Sequence, residues 1–348
     1  MAAVSATSRV NVRAPRPGDG GAIAALWREL WDVHETWGGY PGAKDDLTYA
    51  RVQMRIEHEA RARQGCIVLG RHLHLVATLD GQVVGQVEGW SDRYGVDPST
   101  PYTCEVRSLV VSPNARFCGA GAALLEGLGA AAVDCAGGPS ALAAEVLEPN
   151  PAHAFYARCG YGAVGYTVRK STVGGSAAGG HERSARVAQP RDALAIAILE
   201  AALAERRKRA GDARFDPPRA VDAAWLGAIA AHLQSGSQMP VDIVALDAAG
   251  AVRASATLVV MTLDPPFLPV RRAALTRTTV DPALEPAPLV ATLIDFATVI
   301  AARWGAPTLE ITDLGAPGTP LHEAALATGA APWSRLVTRV WPMRTRSG

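Results

Sequence analysis

An internal repeat limits the fold of this chain more than any other feature: one order of elements occurs twice. "VRAPRPGDGGAIAAL", Val12 to Leu26, opens the first half, and "RVAQPRDALAIAIL", Arg186 to Leu199, opens the second. Each reads as a short strand, a Pro turn and an Asp near a helix start, where an acidic side chain favours the N-terminal dipole. "HLVATLDGQVVGQVEGW", His74 to Trp90, has a counterpart in "DIVALDAAGAVRASATLVV", Asp242 to Val260. Both are hairpins by pattern, two alternating runs around a Gly-containing turn. "RSLVVSP" is matched by "RTTVDP", and "PAHAFYARCGYGAVGYTV" by "PLHEAALATGAAPWSRLVTRV". Between the halves, residues 171–185, "STVGGSAAGGHERSA", have the composition of a flexible linker. The pattern predicts a duplicated α/β unit, with domains over 1–170 and 186–348.

Composition narrows the function classes. At 348 residues the length also favours two domains. A net charge of +1 argues against a large nucleic-acid footprint. The five cysteines, Cys66, Cys104, Cys118, Cys135 and Cys159, form no CxxC and no disulfide spacing. They read as reduced thiols, which with the absence of an apolar leader run at the N-terminus gives a cytoplasmic expectation. Apolar segments are broken by Arg, His or Asp before about 18 residues, so no membrane span is expected.

The stretch "RSLVVSPNARFCGAGAALLEGL", Arg107 to Leu128, holds the first chemistry. A strand runs into a loop with one Arg and two close glycines, and an Ala/Leu-rich helix follows. Glycine is unfavourable inside a helix by about 1 kcal/mol relative to alanine, so two at a helix start need a reason. A helix N-terminus offers unpaired N–H groups and partial positive charge. Glycines let a ligand approach that backbone, and Arg116 adds a full charge, so the loop suits a phosphate or pyrophosphate. A plain turn with a solvated Arg has the same look. The loop is not a Walker motif and lacks the third glycine of a dinucleotide fingerprint.

Downstream, "ALAAEVLEPNPAHAFYARCGYGAVGYTV" reads as a strand over 141–147, a loop with Asn150, a short helix with Phe155 and Tyr156, then Gly160-Tyr161 and a last strand. Arg116 to Gly121 after Val111-Ser112-Pro113 stands as an R-x-x-G-x-G motif. Ala152-His153, Phe155-Tyr156 and Gly160-Tyr161 stand as an A-H-x-F-Y helix and turn. With these two motifs, residues 9–170 resemble the GNAT family of N-acetyltransferases.

The resemblance implies an α/β (α+β) fold, here as tandem GNAT units, each a mixed, mostly antiparallel twisted sheet flanked by helices. It implies acetyl transfer from acetyl-CoA to the primary amine of a small molecule by direct attack in a ternary complex. Phe117, Cys118, Gly119, Ala120, Gly121 and Ala122 would cradle the pyrophosphate with Arg116 nearby. Leu109, Val110 and Val111, on a strand splayed from 141–147, would meet the pantetheine and thioester, and Asn150 and His153 would border the cofactor. Glu105 matches a glutamate that serves as general base in some members, and equally reads as a polar residue near a strand start. Tyr156 matches the tyrosine that protonates the leaving thiolate, and also reads as a core aromatic.

The acceptor side is read from "ELWDVHETWGGYPGAKDD". Trp31, Trp37 and Tyr40 would line a cationic or apolar substrate, and Glu35, Asp45 and Asp46 would attract an ammonium. An amphipathic helix with an aromatic core stripe fits the same residues. His72 and His74 share a strand face without an evident third ligand, so no metal is expected. An acyl-CoA-binding sensor or scaffold, and a protein N-terminal acetyltransferase, are the competing readings. The oligomeric state is not read from the sequence.

The second half keeps the order of elements and loses the motif. Glu285 stands where Arg116 should recur, and Pro288 and Val290 where Gly119 and Gly121 should. Glu285 would repel a pyrophosphate, and proline removes a donor. Ala325 falls opposite Tyr156 and Ala274 opposite Glu105. The expectation is a degenerate, structural copy.

Overall fold

The computed structural model describes residues 10–39, 46–93, 102–136, 140–173, 184–212, 214, 221–235, 239–262 and 271–341. Most of the linker segment, Tyr40 and Asp45 lie outside these residues. The first half runs β1 (Asn11–Arg13), α1 (Gly20–Thr36), α2 (Asp46–Arg63), β2 (Val68–Leu69), β3 (His72–Leu79), β4 (Gln82–Arg93), β5 (Tyr102–Val111), α3 (Ala120–Ala136), β6 (Ser140–Leu147), α4 (His153–Arg158) and β7 (Gly162–Ser171). The second half runs β8 (Ala185–Val187), α5 (Ala193–Arg209), α6 (Ala223–Gln234), β9 (Val241–Leu246), β10 (Val252–Thr262), β11 (Arg271–Val280), α7 (Pro286–Arg303), β12 (Thr308–Ile311), α8 (Pro320–Leu326) and β13 (Ala331–Trp341). The repeat is thus real at the level of elements, short β2 aside.

It is also real at the level of contacts. Arg13 on β1 donates to both Asp19 carboxylate oxygens, at 2.6 and 3.0 Å, and the Arg16 N–H adds a third bond at 2.7 Å. Arg186 on β8 repeats this on Asp192 at 2.6 and 2.9 Å, with the Gln189 N–H at 2.7 Å. Neither Asp caps the following helix with its side chain. Each carboxylate instead ties the first strand of its half to the turn that launches the first helix.

Strand alternation sends successive side chains to opposite faces. In β3, Leu73, Leu75 and Ala77 pack with Leu124, Leu125 and Leu128 of α3. Val76, of the opposite parity, packs with Ile23, Trp27 and Trp31 of α1 and Ile56 of α2. Burying each such leucine or isoleucine contributes about 1.5–3 kcal/mol. In the second half α7 takes the place of α3. It is long and apolar enough to cross a membrane by length and composition. Its Val290, Leu293, Ile294, Ala297 and Ala301 are core residues packed with Ile243, Leu258, Leu275 and Leu309.

The thirteen strands of the described residues belong to one sheet, ordered β1-β3-β4-β5-β6-β13-β7-β12-β11-β10-β9-β8, with β2 on β3. The centre of that order shows an exchange. β7, the last strand of the first half, pairs with β13 and β12, both from the second. β13, the last strand of the second half, pairs with β6 and β7, both from the first. Each half therefore completes the other's sheet.

Candidate active site

β5 and β6 run parallel and pair from Tyr102↔Ser140 to Val106↔Ala144. There the pairing stops, although β5 continues to Val111. The result is a wedge-shaped slot between the two strands. A bulge on β5 lies at its apex, because the register against β4 shifts between Glu88↔Ser108 and Gly89↔Val106, leaving Arg107 as the extra residue. Beyond the bulge, the Ser112 N–H donates to the Val84 carbonyl across β4 at 2.8 Å. Backbone groups alternate sides along a strand. Ser108 and Val110 therefore face β4, and Leu109 and Val111 turn their N–H and C=O groups into the slot.

The glycine loop closes one end. Gly119 has φ +88°, a conformation that side chains disfavour, and the α-helical bonds of α3 begin with Ala123 N–H to Gly119 O at 3.0 Å. Arg116 and Cys118 are exposed, and Phe117 is fully exposed at φ +67°. Cys118 Sγ is 2.8 Å from the Ala115 carbonyl. Ala120 is buried in the core and Ala122 exposed, so the cradle is made by backbone. Gly121 has a packing reason too: a Cβ there would lie 3.0 Å from the Phe155 ring.

α4 borders the other wall. The Asn150 side-chain oxygen accepts the Ala152 N–H at 2.9 Å, and His153 Nε2 lies 2.9 Å from the Leu147 carbonyl. Both side chains thus fix the turn from β6 into α4. Tyr156 is buried between Phe155 and Tyr161, edge-on to each, with centroids at 5.4 and 5.2 Å. Burial pushes the Tyr161 phenol well above its ordinary value, and its hydroxyl has no hydrogen-bond partner among the described residues.

Glu105 lies before the bulge, half-exposed and 2.5 Å from Arg107. Of the residues read as acceptor-lining, Trp31 is 1 % exposed and packs with Trp27 and Tyr49 in the core between α1, α2 and the sheet. It is a core aromatic in this structure, because α2 covers its face of α1. Glu35 is exposed at the end of α1, and Trp37 is half-buried, edge-on to His34 at 5.2 Å. Asp46 begins α2 and meets Arg28 at 3.0 Å.

The sequence reading passed over a row of buried polar groups under α2. Strand register sets His72 beside Trp90 and Glu105, and His74 beside Glu88 and Ser108. Glu88 is buried, 3.2 Å from Arg55 and 3.4 Å from His72 Nε2. Burial favours its neutral form, but the His72 hydrogen bond and the Arg55 charge outweigh this and hold the carboxyl far below its ordinary value. Burial pushes the His74 imidazole down to about 4. A third group does stand near the two histidines: Glu59 of α2, whose ligand atom lies within 4.8 Å of theirs. Its Oε2 is 3.5 Å from His72 Nδ1, but that nitrogen is also 2.8 Å from Arg63 Nη2. The guanidinium thus takes the Nδ1 lone pair of His72 and leaves Nε2 facing Glu88. The signal was present in "HLHLVATLDGQVVGQVEGW": His72, His74, Gln86, Glu88 and Trp90 alternate on facing strands of one hairpin.

The corresponding slot of the second half is filled. β11 and β12 pair from Ala273↔Leu309 to Leu275↔Ile311, and the Thr312 N–H then reaches the Leu275 carbonyl at 2.9 Å. Beyond that point Asp313 accepts the Arg277 N–H at 2.7 Å and pairs with Arg207 of α5. Arg206 donates to the carbonyls of Thr278 and Asp313, at 3.0 and 2.9 Å. Glu285 and Pro286 start α7, and Val290 is fully buried.

Residues 27–161 match the family model described as acetyltransferase (GNAT) family. That match lies within the first half of the chain, and it supports acyl-CoA-dependent acetyl transfer in general. Three solved structures extend the likeness of fold through both halves. One is a GCN5-related N-acetyltransferase from Sphaerobacter thermophilus, 17% identical, TM-score 0.57, covering 97% of this chain and 96% of its own. A second is a tandem GNAT protein from the clavulanic acid biosynthesis pathway, 17% identical, TM-score 0.50, covering 97% and 100%. The third is a GCN5-related glucosamine N-acetyltransferase region in a fungal multi-domain GH3 β-N-acetylglucosaminidase, 14% identical, TM-score 0.55. This chain is covered to 97% in that match and spans 39% of the fungal chain. No curated protein matches the sequence.

Proposed function

We propose that the chain is an N-acetyltransferase with one working site, in the first half, which moves an acetyl group from acetyl-CoA to the primary amine of a small molecule. The observation that carries the reading is the contrast between the two slots. The first has a glycine loop at φ +88° and a strand edge from Leu109 to Val111 that no strand among the described residues pairs on the β6 side, while the second is stitched by Asp313, Arg206 and Arg207. Acetyl-CoA would supply an activated acyl thioester. The N–H groups at the start of α3, with Arg116, hold the pyrophosphate. The Leu109 N–H donates to the thioester oxygen as negative charge grows there. Glu105, at the apex, takes the proton of the amine, and the Tyr156 hydroxyl returns one to the leaving thiolate.

The test is a calorimetric titration with acetyl-CoA, followed by a thiol-release assay across an amine panel. One site per chain is expected, lost on Gly119→Val and unaffected by Pro288→Ala. Two equivalent sites, or none, would overturn the reading.

A further inference from the structure

The Ser108–Leu109 peptide lies at the bulge, between the slot and a buried chain of hydrogen bonds. Gln86 Nε2 donates to the Ser108 carbonyl at 3.2 Å and to the Ser108 hydroxyl at 3.1 Å. Two acceptors at its nitrogen place its oxygen toward His74, whose Nε2 lies 3.0 Å from it. His74 must then carry its proton on Nε2, leaving Nδ1 bare, and Nδ1 has no partner among the described residues. The neutral ring this requires is the form that burial favours. His74 and Gln86 are both 0% exposed and Ser108 is 2% exposed.

A trans peptide is a rigid plane, with its C=O and N–H pointing in opposite directions. The carbonyl that Gln86 grips and the Leu109 N–H that faces the slot belong to one such plane. Holding the carbonyl therefore fixes the direction of the N–H. Donation to a carbonyl also polarises its amide, so the N–H becomes a stronger donor, and His74 polarises the Gln86 amide in the same sense. The second half supplies an internal contrast. Ser255 pairs with Thr279 there as Gln86 pairs with Val110, and Arg277 stands in the position of Ser108. The relay is absent from the half whose slot is filled.

We infer that Gln86 is a positioning residue, which with His74 behind it aims and polarises the Leu109 N–H toward the acyl oxygen of the bound thioester. The inference rests on the reading of this slot as the acetyl-CoA site.

The experiment is difference infrared spectroscopy of carbonyl-labelled [¹³C]acetyl-CoA bound to the full chain, alongside its dissociation constant and the turnover of any amine found in the panel. In the wild type the carbonyl stretch should move to lower frequency on binding. Gln86→Met, similar in length but without a donor, should lose at least half of that displacement. Its turnover should fall at least tenfold, while the dissociation constant stays within threefold. Ser108→Ala keeps the carbonyl and should keep the displacement. His74→Phe should lose part of it, and reports on the relay even if Gln86→Met does not fold. Acetyl-CoA that fails to bind the wild type would overturn the reading of the site. Binding with the same carbonyl frequency in wild type, Gln86→Met and His74→Phe would overturn the role of Gln86 alone.

Discussion

Tyr156 shows how one residue can carry a packing role and a chemical one. Its ring is held edge-on by Phe155 and Tyr161 in the core behind the slot, so a phenylalanine keeps those contacts. Tyr156→Phe should leave the thermal midpoint and the acetyl-CoA dissociation constant nearly unchanged. If the hydroxyl protonates the thiolate, turnover should fall about 10²–10⁴-fold in an assay limited by chemistry. Wild-type turnover would leave Tyr156 as packing only. The residues that sequence reasoning could find were those whose role depends on their own backbone. Gly119 needs a positive φ whatever surrounds it, and the loop around it is contiguous in sequence. Gln86 was not legible, because its meaning comes from Ser108, 22 residues away on another strand, and from a register that a bulge shifts by one. Trp31 was misplaced for a related reason: an aromatic near a helix end reads the same on a cleft wall and under a second helix.

Among the elements, both hairpins, the splayed strands and the helices after them are where pattern placed them, since period-2 and period-3.6 repeats are local signals. The Asp at each first-helix start was found by the same logic, but its partner was not. Arg13–Asp19 and Arg186–Asp192 each close a strand onto a turn across six residues. Burial favours the neutral acids, yet the arginines and the turn N–H groups lower both pKa values below the ordinary 3.8. A carboxyl lowered on folding stabilises the fold above its unfolded pKa, and that contribution is lost as pH falls through the folded value. Asp192→Ala should therefore cost about 1.5–3 kcal/mol at pH 7, the range for hydrogen bonds to charged groups. The gap to wild type should narrow as pH drops below 3.8. Urea midpoints at pH 7 and at lower pH check this, and a gap independent of pH would place the stabilisation in something other than the ionised carboxylate.

At the scale of the whole molecule the two halves share strands, which no local pattern announces because the partners lie far apart in sequence. β13 brings Val337 and Trp341 into the core of the first half. The Trp341 ring lies against α3 where Gly129 leaves room, since a Cβ there would collide with it. Ser334 donates to Glu145 at 2.6 Å, Arg335 binds Glu148 through two bonds at 2.8 and 2.7 Å, and Arg339 reaches Glu126 at 2.6 Å. In return Arg169 of β7 binds Glu310 at 2.7 Å. A fragment of residues 1–180 would lose both neighbours of β7 and the outer neighbour of β6. It would expose an unpaired edge beside the slot, a template for aggregation. That fragment should be insoluble, or soluble without acetyl-CoA binding, when expressed alone. Co-expression with residues 181–348 should restore a soluble complex and one acetyl-CoA site, because the exchanged strands can pair without a covalent link. A lone 1–180 fragment that binds acetyl-CoA as tightly as the full chain would show that the second half is dispensable to the site, and that its strand in the sheet can be replaced by solvent.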